Sequence, residues 1–368
     1  MSDPRIAKLA DVLVNYSLDL KPGDHLSLGA HTPAEELALA VYQAALQAGA
    51  HVQWTLSFPG AREIFLKYAS DDQLDFVSPI DKLIDQQCNA HLFLEAPQNT
   101  RTLSATDPTR MARHSKAYQP LFQEFMDRAA RGEVRWSYTV FPCHAFAQEA
   151  DMSLSDYTEF VFAADMLNEP DPVAAWQAVG RKEQALVEWL KGKDRVVLKG
   201  KDIDLTFSIK GRSFEAADGK VNMPDGEIFT GPVEDSAQGW VRFRYPAIEG
   251  GREVENVELW FEGGKVVKEN AQKNLEFLTA QLNTDPGARY LGEWGIGTNY
   301  SIPRFSKHML FDEKLGGTIH LALGMSYPET GGKNESGLHW DMLCDMADAE
   351  ITVDGELFYR NGKPVLWE

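Results

Sequence analysis

The sequence predicts an α/β protein in two parts. An N-terminal α/β domain with a mostly parallel sheet spans residues 1–190, and a strand-rich C-terminal α+β domain over 191–368 carries the candidate metal site. Three observations lead there. At 368 residues the chain exceeds what one hydrophobic core of ordinary size organises, so two domains are the natural division. Strand-like and helix-like segments alternate through the first half, which requires crossover connections and therefore parallel strands. Near Lys193 that alternation gives way to short segments of β-branched and aromatic residues between glycine-containing turns.

The elements follow in order. HLSLGAH, from His25, reads as a strand, and HVQWTLS, from His51, as a second strand after a helix. Thr32-Pro33-Ala34-Glu35 offers an N-cap hydroxyl, a proline at the first helical position and a glutamate three residues on, so a capping box is expected to open that helix. Gly49 is expected to end it. The pattern returns with DDQLDFVSPIDKLIDQQ before AHLFLEAP, and again with a helix from about Pro108 to Ala130 before Gly132 and VRWSYTVFP. A third helical region, DPVAAWQAVGRKEQALVEWLKGK, leads into the second domain. There RVVLKG, IDLTFSIKG, GWVRFRYPA and VENVELWFEGGKVV read as strands, the last folding back through Glu262-Gly263-Gly264, and a helix near Ala271–Leu282 interrupts them. AEITVDGELFYRNGKPVLWE closes the chain with two hairpin signals, Asp354-Gly355 and Asn361-Gly362. No internal repeat or low-complexity run is visible.

Composition narrows the function classes. Hydrophobic residues at 43 % and charged residues at 25 % are those of a globular protein. A net charge of −19 argues against binding a phosphate backbone, so no nucleic-acid partner is expected. The same charge suits cationic ligands and serves solubility equally well. Cys88, Cys143 and Cys344 are widely spaced, odd in number and free of any CxxC pair, which excludes a disulfide framework or thiolate zinc site and fits a reducing compartment. No window approaches the ~20 consecutive apolar residues of a membrane span. The opening stretch has no basic region followed by an apolar run. A cytoplasmic location is expected.

The chemistry concentrates between Gly316 and Leu343, GGTIHLALGMSYPETGGKNESGLHWDML. In His339-Trp340-Asp341 the two polar side chains are one residue apart, so on an extended backbone both project to one side and Trp340 to the other. His320 sits in TIHLALG, where Ile319, Leu321 and Leu323 face away from it. A lone histidine on a strand is usually a satisfied, partly buried side chain. Three converging candidates shift the reading to a metal, for which imidazole and carboxylate are ordinary ligands. Glu227, after the turn-prone Met-Pro-Asp-Gly, and Glu293, in RYLGEWGIGTNY, are carboxylates in the same domain. Either alone reads as a surface residue at a strand end. Together the five form a set that suits two divalent ions sharing a carboxylate.

These motifs resemble one family closely. NMPDGEIFTGPVED, RYLGE, LFDEKLGGTIHLALGMSYPE and SGLHWDML in the second domain, with FPCHAFAQEADMSLSDYTEFV in the first, are similar in order and spacing to the M29 metallo-aminopeptidases. The resemblance implies two domains, a dinuclear metal centre in the second, homodimers, and peptide substrates with a free N-terminus. It places the metal ligands on Glu227, Glu293, His320, His339 and Asp341, and the catalytic tyrosine on Tyr327. By itself Tyr327 reads as a packed aromatic before a proline turn. Two cations in such a site, zinc, cobalt, manganese or magnesium, would activate a water, polarise the scissile carbonyl and hold the substrate amine. Tyr327 would donate to the oxyanion. The segment between Tyr327 and His339 is shorter than in well-known members, and GEWGIGTNY replaces a more usual aliphatic run; both changes flank the site, so the resemblance carries over metal binding more than substrate preference. The loop ETGGKNESG, with three glycines, is expected to be mobile.

Competing readings are weaker. GMSYP lacks the second glycine of a serine-hydrolase elbow, and neither a P-loop nor HExxH is present. A metal-binding protein without turnover is one alternative. The stronger one is a mononuclear non-haem iron ring-cleaving dioxygenase on the same scaffold, since His320, His339 and Asp341 alone make a two-His, one-carboxylate set. Glu227 and Glu293 favour the hydrolase, because a single iron needs no further carboxylates.

Overall fold

A computed structural model describes residues 3–249 and 251–367. The chain folds as two compact units, Met1–Ala174 with Gly219–Pro224, and Ala175–Asp218 with Asp225–Glu368.

The first unit is built on a five-stranded parallel sheet. It comprises β1 (His25–His31), β2 (His51–Ser57), β3 (Ala90–Glu95) and β4 (Arg135–Val140), in the order β2-β1-β3-β4, with the short segment Asn222–Met223 beside β4. Leu26, Leu28, Ala30, Leu92 and Leu94 alternate along β1 and β3 and are at most 2 % exposed, so one sheet face is sealed. The helix Pro108–Ala130 forms with the expected bounds, its N-terminus capped by the Asp107 carboxylate accepting from Thr109 N. Gly49, at φ +84°, ends the helix Glu35–Gln47 as expected. The capping box does not form. Thr32–Ala34 is a separate 3-10 turn and neither it nor the following helix has a side-chain cap. Thr32 lies inside that turn, after an extended His31, and not at the N-cap ahead of the α-helix where its hydroxyl would meet the free N–H groups.

Besides the short antiparallel pair Ala247–Glu249 and Arg252–Val254, the second unit has two larger antiparallel sheets. The larger runs Lys265–Asn270, Val257–Glu262, Gln238–Phe243, Ile203–Ser208, Arg195–Gly200, Ala349–Val353, Glu356–Arg360, Lys363–Pro364 in spatial order. Positive φ at Asp354, Gly355, Asn361 and Gly362 makes the two predicted tight turns of its edge. The smaller sheet consists of β5 (Glu215–Ala217), β6 (Glu227–Thr230), β7 (Leu291–Gly297), β8 (Thr318–Gly324) and β9 (His339–Asp345), ordered β9-β8-β7-β6-β5.

The two sheets share a core. Trp294, Ile296, Ile319, Leu321, Leu323, Trp340 and Met342 form the inner face of the smaller sheet, each at most 1 % exposed. Phe207 of the larger sheet meets Trp294 edge-on, with ring centroids 5.2 Å apart. At about 1.5–3 kcal/mol per large apolar side chain buried, this face pins the register. A slip of one residue would turn it outward and bury the residues of the opposite face in its place.

Candidate metal centre

The opposite face of the smaller sheet carries every candidate ligand. Directly paired residues of an antiparallel sheet share a face. Asp341 on β9 pairs with Ala322 on β8, which pairs with Glu293 on β7. His339 pairs with Gly324, His320 with Gly295, and Glu227 with Gly297. The expected orientation of His339, Trp340 and Asp341 is found, with Trp340 buried in the core. The small residues among the ligands provide the room. A Cβ added at Gly295 would lie 2.0 Å from both Cε1 and Nε2 of His320, so only glycine lets the imidazole lie across β7.

Glu293 reaches this face through a bulge. Leu291 pairs with Leu323 and Glu293 with Ala322, so Gly292 is an extra residue on β7. Without it Leu291 and Glu293, two residues apart, would point the same way. With it Leu291 enters the core and Glu293 the candidate centre. A side chain at Gly292 would meet the Met325 carbonyl oxygen at 2.2 Å, which keeps the position as glycine.

Two triads of candidate ligands result, sharing Glu293. One is Glu227, Glu293 and His320, the other Glu293, His339 and Asp341. Glu293 Oε1 lies 3.2 Å from His320 Nε2, and its Oε2 lies 3.3 Å from His339 Nε2. Glu227 Oε2 is 3.4 Å from His320 Nε2, and Asp341 Oδ2 is 3.5 Å from His339 Nε2. Both imidazoles are oriented from behind: Nδ1–H of His320 donates to the Glu313 carbonyl at 3.1 Å and that of His339 to the Met325 carbonyl at 2.9 Å. Each Nε2 is thereby turned to the carboxylates. Glu227 Oε2 and Asp341 Oδ1 are buried without a hydrogen-bond partner, one in each triad. A buried carboxylate oxygen left unmatched is costly, and a divalent cation in each triad would match it. The donor set fits two such ions.

The electrostatics agree with that fit. Burial disfavours a charged His320, but Glu293 and Glu227 outweigh it and hold its pKa up at about 10. His339 is likewise pushed to about 11, burial being outweighed by Asp341 and Glu293. Burial pushes Glu227 up, against the pull of Lys314. Glu293 and Asp341 are held below their usual range, because their histidine neighbours overcome burial. Protons on the two imidazoles thus balance the carboxylates when no cation does.

Tyr327 caps the 3-10 turn Pro328–Thr330. Its ring centroid is 5.1 Å from that of His339 and 5.7 Å from that of Phe229. Burial, then the negative charge of Glu293 and Asp341, raises its pKa, so the phenol stays protonated. The glycine-rich loop is tethered where mobility was expected. Asn334 Nδ2 donates to the Gly324 and Gly287 carbonyls, Asp285 accepts from Ser336 Oγ and Gly337 N, and Lys333 N donates to Glu234 Oε1. Partners distant in sequence satisfy its polar groups.

Reading the sequence missed a second layer of charge. Lys314 Nζ lies 2.8 Å from Glu227 Oε1 and 2.5 Å from Glu313 Oε1. Burial opposes the charge on Lys314, but Glu227, Glu313 and Asp225 overcome it and keep its pKa well above the usual value. Glu183, on the helix Pro172–Leu190, is fully buried and accepts from Thr298 Oγ1 at 2.7 Å. Burial, more than the repulsion of Asp225 and Glu227, pushes its carboxyl up to about 9. Charged residues within LFDEKLGG and NMPDGE were the available signal, but neither segment has a periodicity that marks them as buried.

Known proteins are similar to this chain in sequence or in fold. Aminopeptidase 2 of Geobacillus stearothermophilus is 27 % identical, with the alignment covering 98 % of this chain and 97 % of that protein. Aminopeptidase T of Thermus aquaticus is 29 % identical over 70 % of each. Among solved structures, wild-type AmpT from Thermus thermophilus superposes with a TM-score of 0.85 at 23 % identity, covering 98 % of this chain and 99 % of that one. A 2,5-dihydroxypyridine dioxygenase from Pseudomonas putida KT2440 follows at a TM-score of 0.63 and 14 % identity, covering 99 % and 98 %, a likeness of fold alone. The family model described as thermophilic metalloprotease (M29) matches residues 2–364, and the chain belongs to that family of metallopeptidases.

Proposed function

We propose that this chain removes the N-terminal residue of peptides by hydrolysis, with two divalent cations held by Glu227, Glu293, His320, His339 and Asp341, and Tyr327 as oxyanion donor. Its family makes it a metal-dependent peptidase, and the relatives it matches are named aminopeptidases. One observation carries the two-ion reading: the Glu293 carboxylate turns one oxygen to His320 and the other to His339, as a bridging ligand does. The mononuclear iron alternative needs both histidines and Asp341 around one ion, whereas here the imidazoles fall in separate triads.

Zinc, cobalt, manganese and magnesium all accept this mixture of nitrogen and oxygen donors. Such ions, when bound, supply Lewis acidity toward the scissile carbonyl and an activated water. The residues of the chain do the rest. Glu293 would be shared between the two ions, the carbonyls of Glu313 and Met325 fix the imidazole orientations, and the protonated Tyr327 phenol would donate to the oxyanion as charge develops. A free α-amine could meet one ion or a nearby carboxylate, which a blocked one could not. All six residues fall in the proposed catalytic domain, 191–368, which follows an N-terminal domain at 1–190, although the compact units of the fold part earlier, at Ala174/Ala175. A homodimer fits the apolar surface of the first unit, where Phe58, Ile64, Tyr68, Phe76, Ile80 and Phe122 are each more than 60 % exposed. Free, buried Cys88, Cys143 and Cys344 fit the cytoplasm, and among the described residues no helix is long and apolar enough to cross a membrane.

The test is metal content by mass spectrometry beside hydrolysis of free and N-acetylated peptides. Two ions per chain, activity lost on chelation and restored by Co²⁺, Zn²⁺ or Mn²⁺, and resistance of the acetylated peptide are expected. One iron per chain with oxygen consumed on an aromatic substrate would establish the dioxygenase instead.

A further inference from the structure

Behind Glu227 lies a side chain that the ligand set does not use. Lys314 is 0 % exposed, and its Nζ sits 2.8 Å from Glu227 Oε1, 2.5 Å from Glu313 Oε1 and 3.6 Å from Asp225 Oδ1. Its backbone is held on both sides: Lys314 N donates to the Phe311 carbonyl, and its own carbonyl accepts from Asn299 N. An ammonium with no access to water persists only where carboxylates pair with it, so this lysine is committed to that cluster. A glutamate with both oxygens free can chelate an ion through both or rotate away from it. With Oε1 engaged, Glu227 keeps Oε2 turned toward His320 Nε2, buried and otherwise unpartnered. The matching ligand of the other triad, Asp341, shows no comparable anchor: its Oδ2 lies 3.5 Å from His339 Nε2 and its Oδ1 has no hydrogen-bond partner.

We propose that Lys314 is a positioning residue for one metal: it clamps Glu227 through Oε1 so that Oε2 alone faces the ion shared with Glu293 and His320. The inference rests on the ligand assignment above. It makes the Glu227 triad depend on a residue that touches neither metal nor substrate, while Asp341 feels the Lys314 charge only after the stronger pull of His339 and His320 and has no hydrogen bond from it.

Net charge and clamp predict opposite signs. Lys314→Met deletes a positive charge beside a cation site, so charge alone would tighten metal binding, and Glu313→Gln deletes a negative one and would loosen it. The clamp reverses both. Without the ammonium, the buried carboxylates of Asp225 and Glu227 and the half-buried one of Glu313 have no shared cation, and they turn apart. Without the Glu313 charge, Lys314 keeps Glu227 with one competitor fewer.

The experiment is titration of the full, metal-stripped chain with Co²⁺, counting bound ions by equilibrium dialysis and following the visible absorption bands of the two sites. Lys314→Met is expected to bind one Co²⁺ with wild-type affinity and the other about 10–100-fold more weakly, the range for losing a group that orients a ligand. Glu313→Gln is expected to retain both ions. Adding His339→Ala to Lys314→Met should remove the remaining one. Two ions at wild-type or tighter affinity in Lys314→Met overturn the proposal. Should that variant fail to fold by circular dichroism, Glu313→Gln still decides, since a tenfold loss of either ion there overturns it as well. A wild type that binds fewer than two Co²⁺, or a His339→Ala variant that keeps both, shows instead that the ligand assignment has failed, and the clamp with it.

Discussion

His320 is 1 % exposed and His339 19 %, though both stand on one face of the same sheet and share Glu293. The Glu227 triad is sealed, with Lys314 against its carboxylate and the fully buried Glu183 in the layer behind. The Asp341 triad lies nearer solvent, with the Tyr327 ring 5.1 Å from that of His339. With two ions bound as proposed, the sealed half would hold its ion and the open half would meet the substrate. Burial strengthens every charge interaction in the sealed half and withholds it from water. Access and an adjacent hydroxyl donor suit the open half to chemistry.

Four variants break or sharpen that contrast. Glu293→Ala removes the shared carboxylate and should abolish binding of both ions and all activity, by metal analysis and peptide assay. One ion retained at full affinity would show that the halves do not share a ligand. Gly295→Ala strikes the sealed half alone. Its Cβ would lie 2.0 Å from the His320 ring, which cannot retreat without losing the Nδ1 bond to Glu313. One ion per chain should be lost and the Asp341 site kept; two ions in the variant would show that the fit at Gly295 is looser than the distance implies.

Tyr327→Phe tests the open half. The ring packing on Phe229 and His339 survives, so metal content and KM should hold while kcat falls by about 10²–10³, or about 2.7–4 kcal/mol. A near-normal kcat would make Tyr327 a packing residue only. The smallest effect is on stability, at Glu183. Its folded-state pKa, about 9, lies above the ordinary 4.5 of a glutamate, so the folded carboxyl stays neutral where the unfolded one ionises. Both are protonated below pH 4.5, and the penalty grows as pH rises toward 9. Glu183→Gln keeps an acceptor for Thr298 and should stabilise the metal-free chain by up to about 3.5 kcal/mol at pH 7, at ~1.4 kcal/mol per pH unit above 4.5. The urea midpoints of the two proteins should converge near pH 4.5; a gap independent of pH would mean that Glu183 carries no such strain.

Local pattern in the sequence determined a good deal of this protein. The one-residue spacing of His339 and Asp341, with Trp340 between them, set both ligands on one face, because side chains of a strand alternate and tryptophan takes the core. The same alternation around His320 turned it toward them. The helix Pro108–Ala130 and the hairpins at Asp354-Gly355 and Asn361-Gly362 were legible because proline, glycine and asparagine restrict the backbone locally. At Thr32 a locally valid capping box lost to the tertiary path of the chain after β1. Glu293 shows most clearly where local pattern ends. Strict alternation from Leu291 would send it into the core, and only the Gly292 bulge, formed against β8 some thirty residues on, turns it into the centre. Lys314 meets Glu227 across 87 positions and Glu183 meets Thr298 across 115. Periodicity reports which face a residue occupies within its own element; it carries nothing about which distant charge will be buried against it, and that was decided by the packing of the sheets.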